Sequence, residues 1–462
     1  MKILIYIFLF LFPVVAFAQQ PWYKYSPTDY AWKNVGNAGF STWRAYYTSL
    51  AFNPVDSQPY VAYSDDGIHW KATVMRFDGT NWVNVGNPGF SAAEADYTSL
   101  AFSPSGQPYV AYEDYATYNA VSVKKFDGTN WVYVGNPGFS TYGALYTCLA
   151  FSPTGQPYVA FSFGYAGLKA TVMKFDGNNW VDVGSPGFST GQVAYVSMAF
   201  NPFDSLPYVA YADLGNYQKA TVMKFDNTNW INVGYSGFSA GNADWISLAI
   251  SPSGQPYVSY EDEANSNKAT VMKFDGVNWA SVGAEGVTSG EAYVMSLAFN
   301  PSGEPYLAFV DGAYNNFMTV MKFDGTNWVY VGSPGFSAGR ASYTSLVFSP
   351  SDGQPYVAYT DDTNYRKATV MKFDSVFVGV KEQQKSSFSL YPNPATDKIT
   401  IETAEGQAPS QLSILNLNGE EVLTRSLIKP KTQIDISNLP SGVYFVRLTN
   451  DKTVEVEKVV KE

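Results

Sequence analysis

Apolar and polar positions alternate along most of this 462-residue chain in short runs, and the runs recur. One copy reads YTSLAF at 97–102, PYVAY at 108–112, AVSVKKF at 120–126 and WVYV at 131–134. SPSGQ, a variable polar stretch and DGTN separate these runs, and GNPGFS follows them. Patterning of period two, rich in β-branched and aromatic residues and bounded by Gly, Pro, Asn and Asp, predicts four short antiparallel strands in a meander. The fourth run opens on a tryptophan that returns as Trp32, Trp82, Trp131, Trp180, Trp230, Trp279 and Trp328, a period of 49 or 50 residues. A four-stranded sheet of this kind has two apolar faces and cannot cover both alone. Radial stacking against its own copies covers both, which predicts a β-propeller.

The two ends of the array carry the argument for closure. The first copy starts with a lone fourth strand at 32–35, and the last supplies three strands before KFDSVFVG replaces the usual KFDGTNWVYVG. The fold expected is all-β: a seven-bladed propeller over 19–378, closed by the N-terminal strand. The competing arrangement makes 376–380 the last outer strand and leaves 32–35 elsewhere. The Trp beside a Val-Gly step (WVYVG, WVNVG) resembles tectonin-like and other lectin-type propellers.

After Val380 the period ends. KEQQKSS reads as a polar linker at 379–387, and short alternating runs with Asn-Gly and Pro-Ser-Gly turns predict a small β-sandwich over 388–462. Tyr391-Pro392-Asn393-Pro394, Asn418-Gly419, Leu439-Pro440-Ser441-Gly442-Val443-Tyr444 and Lys458-Val459-Val460-Lys461 stand in that order. In these residues the segment resembles the C-terminal sorting domain of type IX secretion cargo in Bacteroidota. The resemblance implies the type IX machinery as a partner, passage through the periplasm, and release outside the cell or attachment at the outer-membrane surface.

The start of the chain agrees with export. Lys2, an apolar stretch at 3–15 and Ala16-Phe17-Ala18 form a secretory signal over 1–18, cut between Ala18 and Gln19. No other run approaches eighteen apolar residues, so no transmembrane segment is expected in the mature chain, which is expected as a monomer. A net charge of −11 disfavours nucleic acid as a partner. Cys148 stands alone and replaces the Ser of other copies, as a small core residue would. A single histidine, His69, restricts His-dependent catalysis and zinc binding, and nothing in the sequence asks for a cofactor.

In an up-and-down sheet the loops between strands 2 and 3 share one end of the ring with the sheet-to-sheet loops, and these vary from copy to copy. A rigid scaffold with variable loops at one end places a binding face there. Three positional sets mark it. A varied polar position before the inner strand holds Arg44, Glu94, Gln192, Asn242, Glu291 and Arg340. Three residues on come Tyr47, Tyr97, Tyr146, Tyr195, Trp245 and Tyr343, with Val294 in the sixth copy. The second strand ends in Asp65, Asp114, Asp213, Asp262, Asp311 and Asp361. Aromatic faces with Asp, Asn, Gln and Arg suit the stacking of a pyranose and hydrogen bonds to its hydroxyls. The same residues also have plain structural uses: aromatics wedged between sheets, and aspartates bonded within their own loops or paired with Lys71, Lys169, Lys219, Lys268 and Lys367.

Near-identical repeats suit repeated weak binding better than the unlike carboxylates catalysis needs. The sequence therefore favours a non-enzymatic binder of polysaccharide or glycoprotein. The alternatives are a carbohydrate-active hydrolase using loop carboxylates and a protein-binding adhesion ring. No loop has the Asp-rich spacing of an EF-hand calcium site, though the aspartates leave a calcium role open.

Overall fold

The computed structural model describes residues 28–377 except 141–142 and 165–166, and residues 388–462 except 404–409, 418, 428 and 450–453. The signal expected at 1–18, with Ala18 and Gln19 at its cleavage point, and the linker expected at 379–387 lie outside the described residues. The chain divides into two compact units near residue 377.

In the first unit, β2 (Ala45–Phe52), β3 (Pro59–Asp65), β4 (Lys71–Phe77) and β5 (Trp82–Asn84) form an antiparallel sheet in chain order. Five further four-stranded sheets repeat that order, beginning at Ala95, Ala144, Val193, Ala243 and Ala292. A seventh takes three strands, Ala341–Phe348, Pro355–Asp361 and Lys367–Phe377, and completes itself with β1 (Thr28–Asn34). Strand β1 therefore occupies the outer place that the competing arrangement gave to 376–380. Each inner strand packs against the next, and that of the seventh sheet packs against β2, so the series returns to its start. This is the arrangement of a β-propeller.

The recurring tryptophan explains why neighbours lock. Each indole N–H donates to the carbonyl of a valine that follows the outer strand of the preceding sheet. Trp82 bonds Val35, Trp180 bonds Val134 and Trp279 bonds Val233, all at 2.7 Å. Trp32 does the same to Val331 at 2.7 Å, joining the seventh sheet to the sixth. The phenylalanine of GFS stacks on the same indole: Phe40 on Trp82 at 4.2 Å and 12°, Phe336 on Trp32 at 4.3 Å and 9°. The glycine after the valine is required by this contact. Gly36 has φ 70°, and a Cβ there would stand 2.9 Å from Phe77 and 3.2 Å from Trp82.

At the inner edge a second set of bonds runs around the ring. The hydroxyl of Ser49 accepts the N–H of Leu100 at 3.0 Å, and Ser99, Ser197, Ser247, Ser296 and Ser345 serve the next sheet in the same way. Cys148 occupies this register in the third sheet, with Sγ 3.8 Å from the Met198 carbonyl oxygen. Its position is thus an inter-sheet latch as well as a place in the packing.

The second unit holds a three-stranded sheet (Phe388–Tyr391, Lys398–Thr403, Lys431–Asp435) and a four-stranded one (Glu421–Leu427, Ser410–Leu415, Gly442–Thr449, Val454–Lys461). One apolar cluster draws on both, including Ile399, Ile401, Leu412, Val446 and Val459. The Tyr-Pro-Asn-Pro motif has a visible task. Asn393 donates to the Lys458 carbonyl at 2.7 Å and accepts the Val460 N–H at 2.9 Å, so its amide replaces a backbone partner for the last strand. Tyr444 closes the Leu-Pro-Ser-Gly-Val-Tyr turn by donating to the Pro440 carbonyl at 2.9 Å.

Candidate functional site

Every inner strand carries a one-residue bulge. In the first sheet Tyr46 pairs with Ser64 and Ser49 with Ala62, so Tyr47 and Thr48 together face a single step of β3. The extra residue falls in the left-handed region in all seven sheets: Tyr47 at φ 53°, Tyr97 at 49°, Tyr146 at 57°, Tyr195 at 53°, Trp245 at 50°, Val294 at 48° and Tyr343 at 54°. Bulges tolerate this conformation best with glycine, and a β-branched valine is particularly disfavoured. Strained non-glycine backbone recurs at functional sites, where surrounding structure holds it.

The bulge aims each of these side chains at the ring's centre. They line one open cavity of about 480 Å³. Neighbouring rings stand close and tilted: Tyr47–Tyr97 at 4.7 Å, Tyr97–Tyr146 at 5.2 Å, Tyr146–Tyr195 at 5.3 Å, Tyr195–Trp245 at 5.1 Å and Tyr343–Tyr47 at 4.9 Å. Val294 leaves the one gap, between Trp245 and Tyr343. The residue after each aromatic also lines the cavity and divides it. Thr344, Thr48, Thr98 and Thr147 form a polar arc, and Val196, Ile246 and Met295 an apolar one. Thr48, Thr98 and Thr147 donate to the carbonyls of Tyr343, Tyr47 and Tyr97, tying each bulge to the sheet before it. The repeated sites expected around the ring thus become one central cup.

Two carboxylate pairs occupy the strands that carry the cup residues Tyr97 and Trp245, a cross-strand pairing that the sequence alone does not reveal. Asp96 faces Glu113 across the first two strands of the second sheet, and Asp244 faces Glu261 in the fifth. Glu113 is 2% exposed and Glu261 8%. Burial, then the field of Asp96 and Glu94, pushes Glu113 up to about 8. Burial, then Asp244 and Glu291, pushes Glu261 up to about 7, and burial followed by Glu94 pushes Asp96 up to about 6. The same charges reach the cup: Asp96 and Glu113 help raise the pKa of Tyr47 and Tyr97, and Asp244 and Glu261 that of Tyr195, in each case after burial. Among the described residues none of these four carboxylates is in an ion pair, whereas Arg366 pairs with Asp362 at 3.1 Å and Arg44 with Asp66 at 3.9 Å.

The other sequence-derived positions do not line the cup. Asp65, Asp114, Asp213, Asp262, Asp311 and Asp361 are buried, at 0–3% exposure. Each caps the short 3-10 turn that follows by accepting the N–H two residues on, as Asp65 does from Gly67 at 3.0 Å. The second oxygen of Asp114 takes the Ser122 hydroxyl, and that of Asp262 the Thr270 hydroxyl, both at 2.7 Å. No ion pair to Lys71, Lys219, Lys268 or Lys367 forms among the described residues. Each aspartate thus serves its own loop as a cap, and the second oxygen of Asp311 is buried without a hydrogen-bond partner among the described residues. Period-two alternation explains the split within Glu113-Asp114 and Glu261-Asp262: adjacent residues on a strand point to opposite faces.

The varied position before the inner strand supplies a backbone carbonyl to the neighbouring loop, from Arg44 to Asp66 N–H at 3.1 Å and from Gln192 to Leu214 N–H at 2.9 Å. The side chains of Arg44, Gln192, Glu291 and Arg340 are exposed, and those of Glu94 and Asn242 half-buried. His69 is exposed at φ 61° in its loop, where Tyr118, Tyr217 and Tyr365 occupy the same place in other sheets. Among the described residues no group of three or more His, Cys, Asp or Glu is placed to hold a metal ion, and no helix is long and apolar enough to cross a membrane.

Comparison with known proteins divides along the same line as the structure. Karilysin of Tannerella forsythia is 32% identical over 88 residues, which is 17% of this chain and 19% of that protein. The chain therefore spans about a fifth of that curated relative. Among solved structures, a six-bladed β-propeller lectin of Aleuria aurantia is 14% identical, covering 66% of this chain and 100% of the lectin with TM-score 0.45. The α-L-arabinanase of Penicillium chrysogenum is 15% identical, covering 61% and 93% with TM-score 0.41. A Dyadobacter fermentans protein of unknown function is 10% identical, covering 75% and 99% with TM-score 0.45. Residues 389–462 match the secretion system C-terminal sorting domain, which indicates export through type IX secretion to the cell surface or extracellular space.

Proposed function

We propose that this protein is a secreted or surface-held binding module, a seven-bladed propeller followed by a small sandwich. It takes one end of a carbohydrate chain in the central cup. The observation that supports this reading is the set of six aromatic side chains, each held on left-handed backbone, around a single open cavity. Carbohydrate sites combine ring faces for stacking with polar groups that fix orientation. Here the threonine arc and the tyrosine hydroxyls supply the polar groups. A single axial cup suits a chain end, because a polymer lying across the ring would reach only the rim. Isothermal titration of the full chain against a panel of oligosaccharides tests this. Binding lost in Tyr47→Ala and Trp245→Leu supports it, and a folded protein that binds none of the panel removes it.

A second reading rests on Asp96 and Glu113. Two carboxyls pushed to about 6 and about 8 have the spread in acidity that general acid–base hydrolysis uses. Turnover of an oligosaccharide that disappears in Glu113→Gln would favour the hydrolase over the binder.

A further inference from the structure

We propose that the sugar held in the cup carries a positive charge, as the ammonium of an amino sugar whose nitrogen is not acetylated. This inference rests on the carbohydrate reading above and names the class of sugar. Three observations converge on it.

The first is the cup's wall. Its rings surround one shared cavity, neighbouring pairs standing 4.7–5.3 Å apart and tilted 40–55° to one another. Aromatic faces carry partial negative charge, and a cage of them holds ammonium groups more strongly than neutral ones.

The second is the sign of the charge around the mouth. The groups whose fields reach the cup tyrosines are Asp96, Glu113, Asp244 and Glu261. Behind them Glu94 adds to the field at Glu113, and Glu291 to that at Glu261. Arg366, whose field reaches Tyr343 and Tyr46, is already paired with Asp362 at 3.1 Å. The two carboxylate pairs, on the second and fifth sheets, are thus acidic spots without an ion-pair partner among the described residues.

The third is the state of the two glutamates. A carboxylate buried without a cation is costly unless a partner arrives or it takes up a proton. Glu113 and Glu261 face Asp96 and Asp244, which directly precede the cup residues Tyr97 and Trp245, so a ligand in the cup can bring a compensating charge close to both pairs. In the other five sheets the same register holds Ser64, Ser162, Ala212, Val310 and Thr360. The fold itself does not ask for an acid there. Two sheets with a glutamate opposite an aspartate mark a departure from the repeat that packing leaves unexplained.

The test compares three oligomers of equal length on the full chain by titration calorimetry at pH 7: glucosamine, N-acetylglucosamine and N-trimethylated glucosamine. The last keeps its charge at every pH. Both cationic oligomers are expected to bind at least about tenfold more tightly than the acetylated one. In the Glu113→Gln, Glu261→Gln double variant that ratio is expected to fall toward one. Equal affinities in the parent protein overturn this inference and leave the carbohydrate reading standing. No binding to any of the three, or to neutral glucose oligomers, removes both. A lysine-rich peptide that binds more tightly than either cationic oligomer keeps the charge preference but overturns the sugar, pointing to a protein partner. If the double variant does not fold, the ratio measured on the parent chain still decides.

Discussion

The outer and inner rings of contacts in the propeller unit are built to different rules. The outer tryptophan lock is made by all seven sheets with the same donor, acceptor and spacing. The inner ring keeps one backbone conformation but varies its side chains. Six positions are aromatic and one is valine, four following residues are threonine and three are aliphatic, and only two sheets add a carboxylate pair. Uniform contacts hold the closed array together. Differences at the inner edge give a symmetric scaffold a cavity with distinct sides.

The largest test of this contrast removes one member of each ring. Trp180→Ala deletes a buried indole, its stacking partner and its hydrogen bond, and should cost about 3–5 kcal/mol in a denaturant titration. Trp32→Ala should cost the same if β1 closes the ring on equal terms with the other locks. Tyr195→Ala fronts an open cavity and should cost under about 1.5 kcal/mol. Comparable losses at Trp180 and Tyr195 would erase the distinction. The second test is binding. Tyr47→Ala should weaken oligosaccharide affinity about tenfold, or about 1.4 kcal/mol, while leaving the unfolding midpoint nearly unchanged.

The third test is pH. Glu113, Glu261 and Asp96 have folded pKa values raised above their ordinary ones, to about 8, about 7 and about 6. Across that window the folded chain binds more protons than the unfolded chain, so their contribution to stability is complete below about pH 4 and is lost as pH climbs. The melting temperature should therefore fall between pH 5 and pH 9, and Glu113→Gln with Glu261→Gln should flatten the decline. Affinity for a permanently cationic oligomer should move the other way and rise over the same range. The smallest effect belongs to Cys148→Ser. It restores the hydroxyl found in the other six sheets opposite the Met198 N–H and should add about 0.5–1 kcal/mol, read as a shift of the denaturation midpoint.

The repeat, the four-stranded unit and the completion of the last sheet by 32–35 were legible in the sequence, because each depends on patterns that recur at fixed spacing. The aromatic register was legible too, but its destination was not. YTSL at 47–50 reads as an ordinary alternating strand, and nothing in those letters announces the bulge that turns Tyr47 from the sheet face to the ring's centre. Positional recurrence also drew attention to aspartates that the structure buries as caps of their own loops. Aspartate in six copies goes with a shared capping task, whereas Glu113 and Glu261 stand in the sequence as neighbours of Asp114 and Asp262, and nothing there shows that they face Asp96 and Asp244 across the sheet. In a repeat protein the departure from the period carries as much information as the period.

The bond from Trp32 to Val331 joins residues 299 positions apart. No partial chain can make it, and long-range pairings of this kind form slowly. Val331 follows the sixth sheet, so in a chain that stops short of it the first tryptophan has no carbonyl to meet and the array stays a strip with two raw edges. A chain cut before that point therefore lacks its clasp and is expected to be cleaved by proteases faster than the full one.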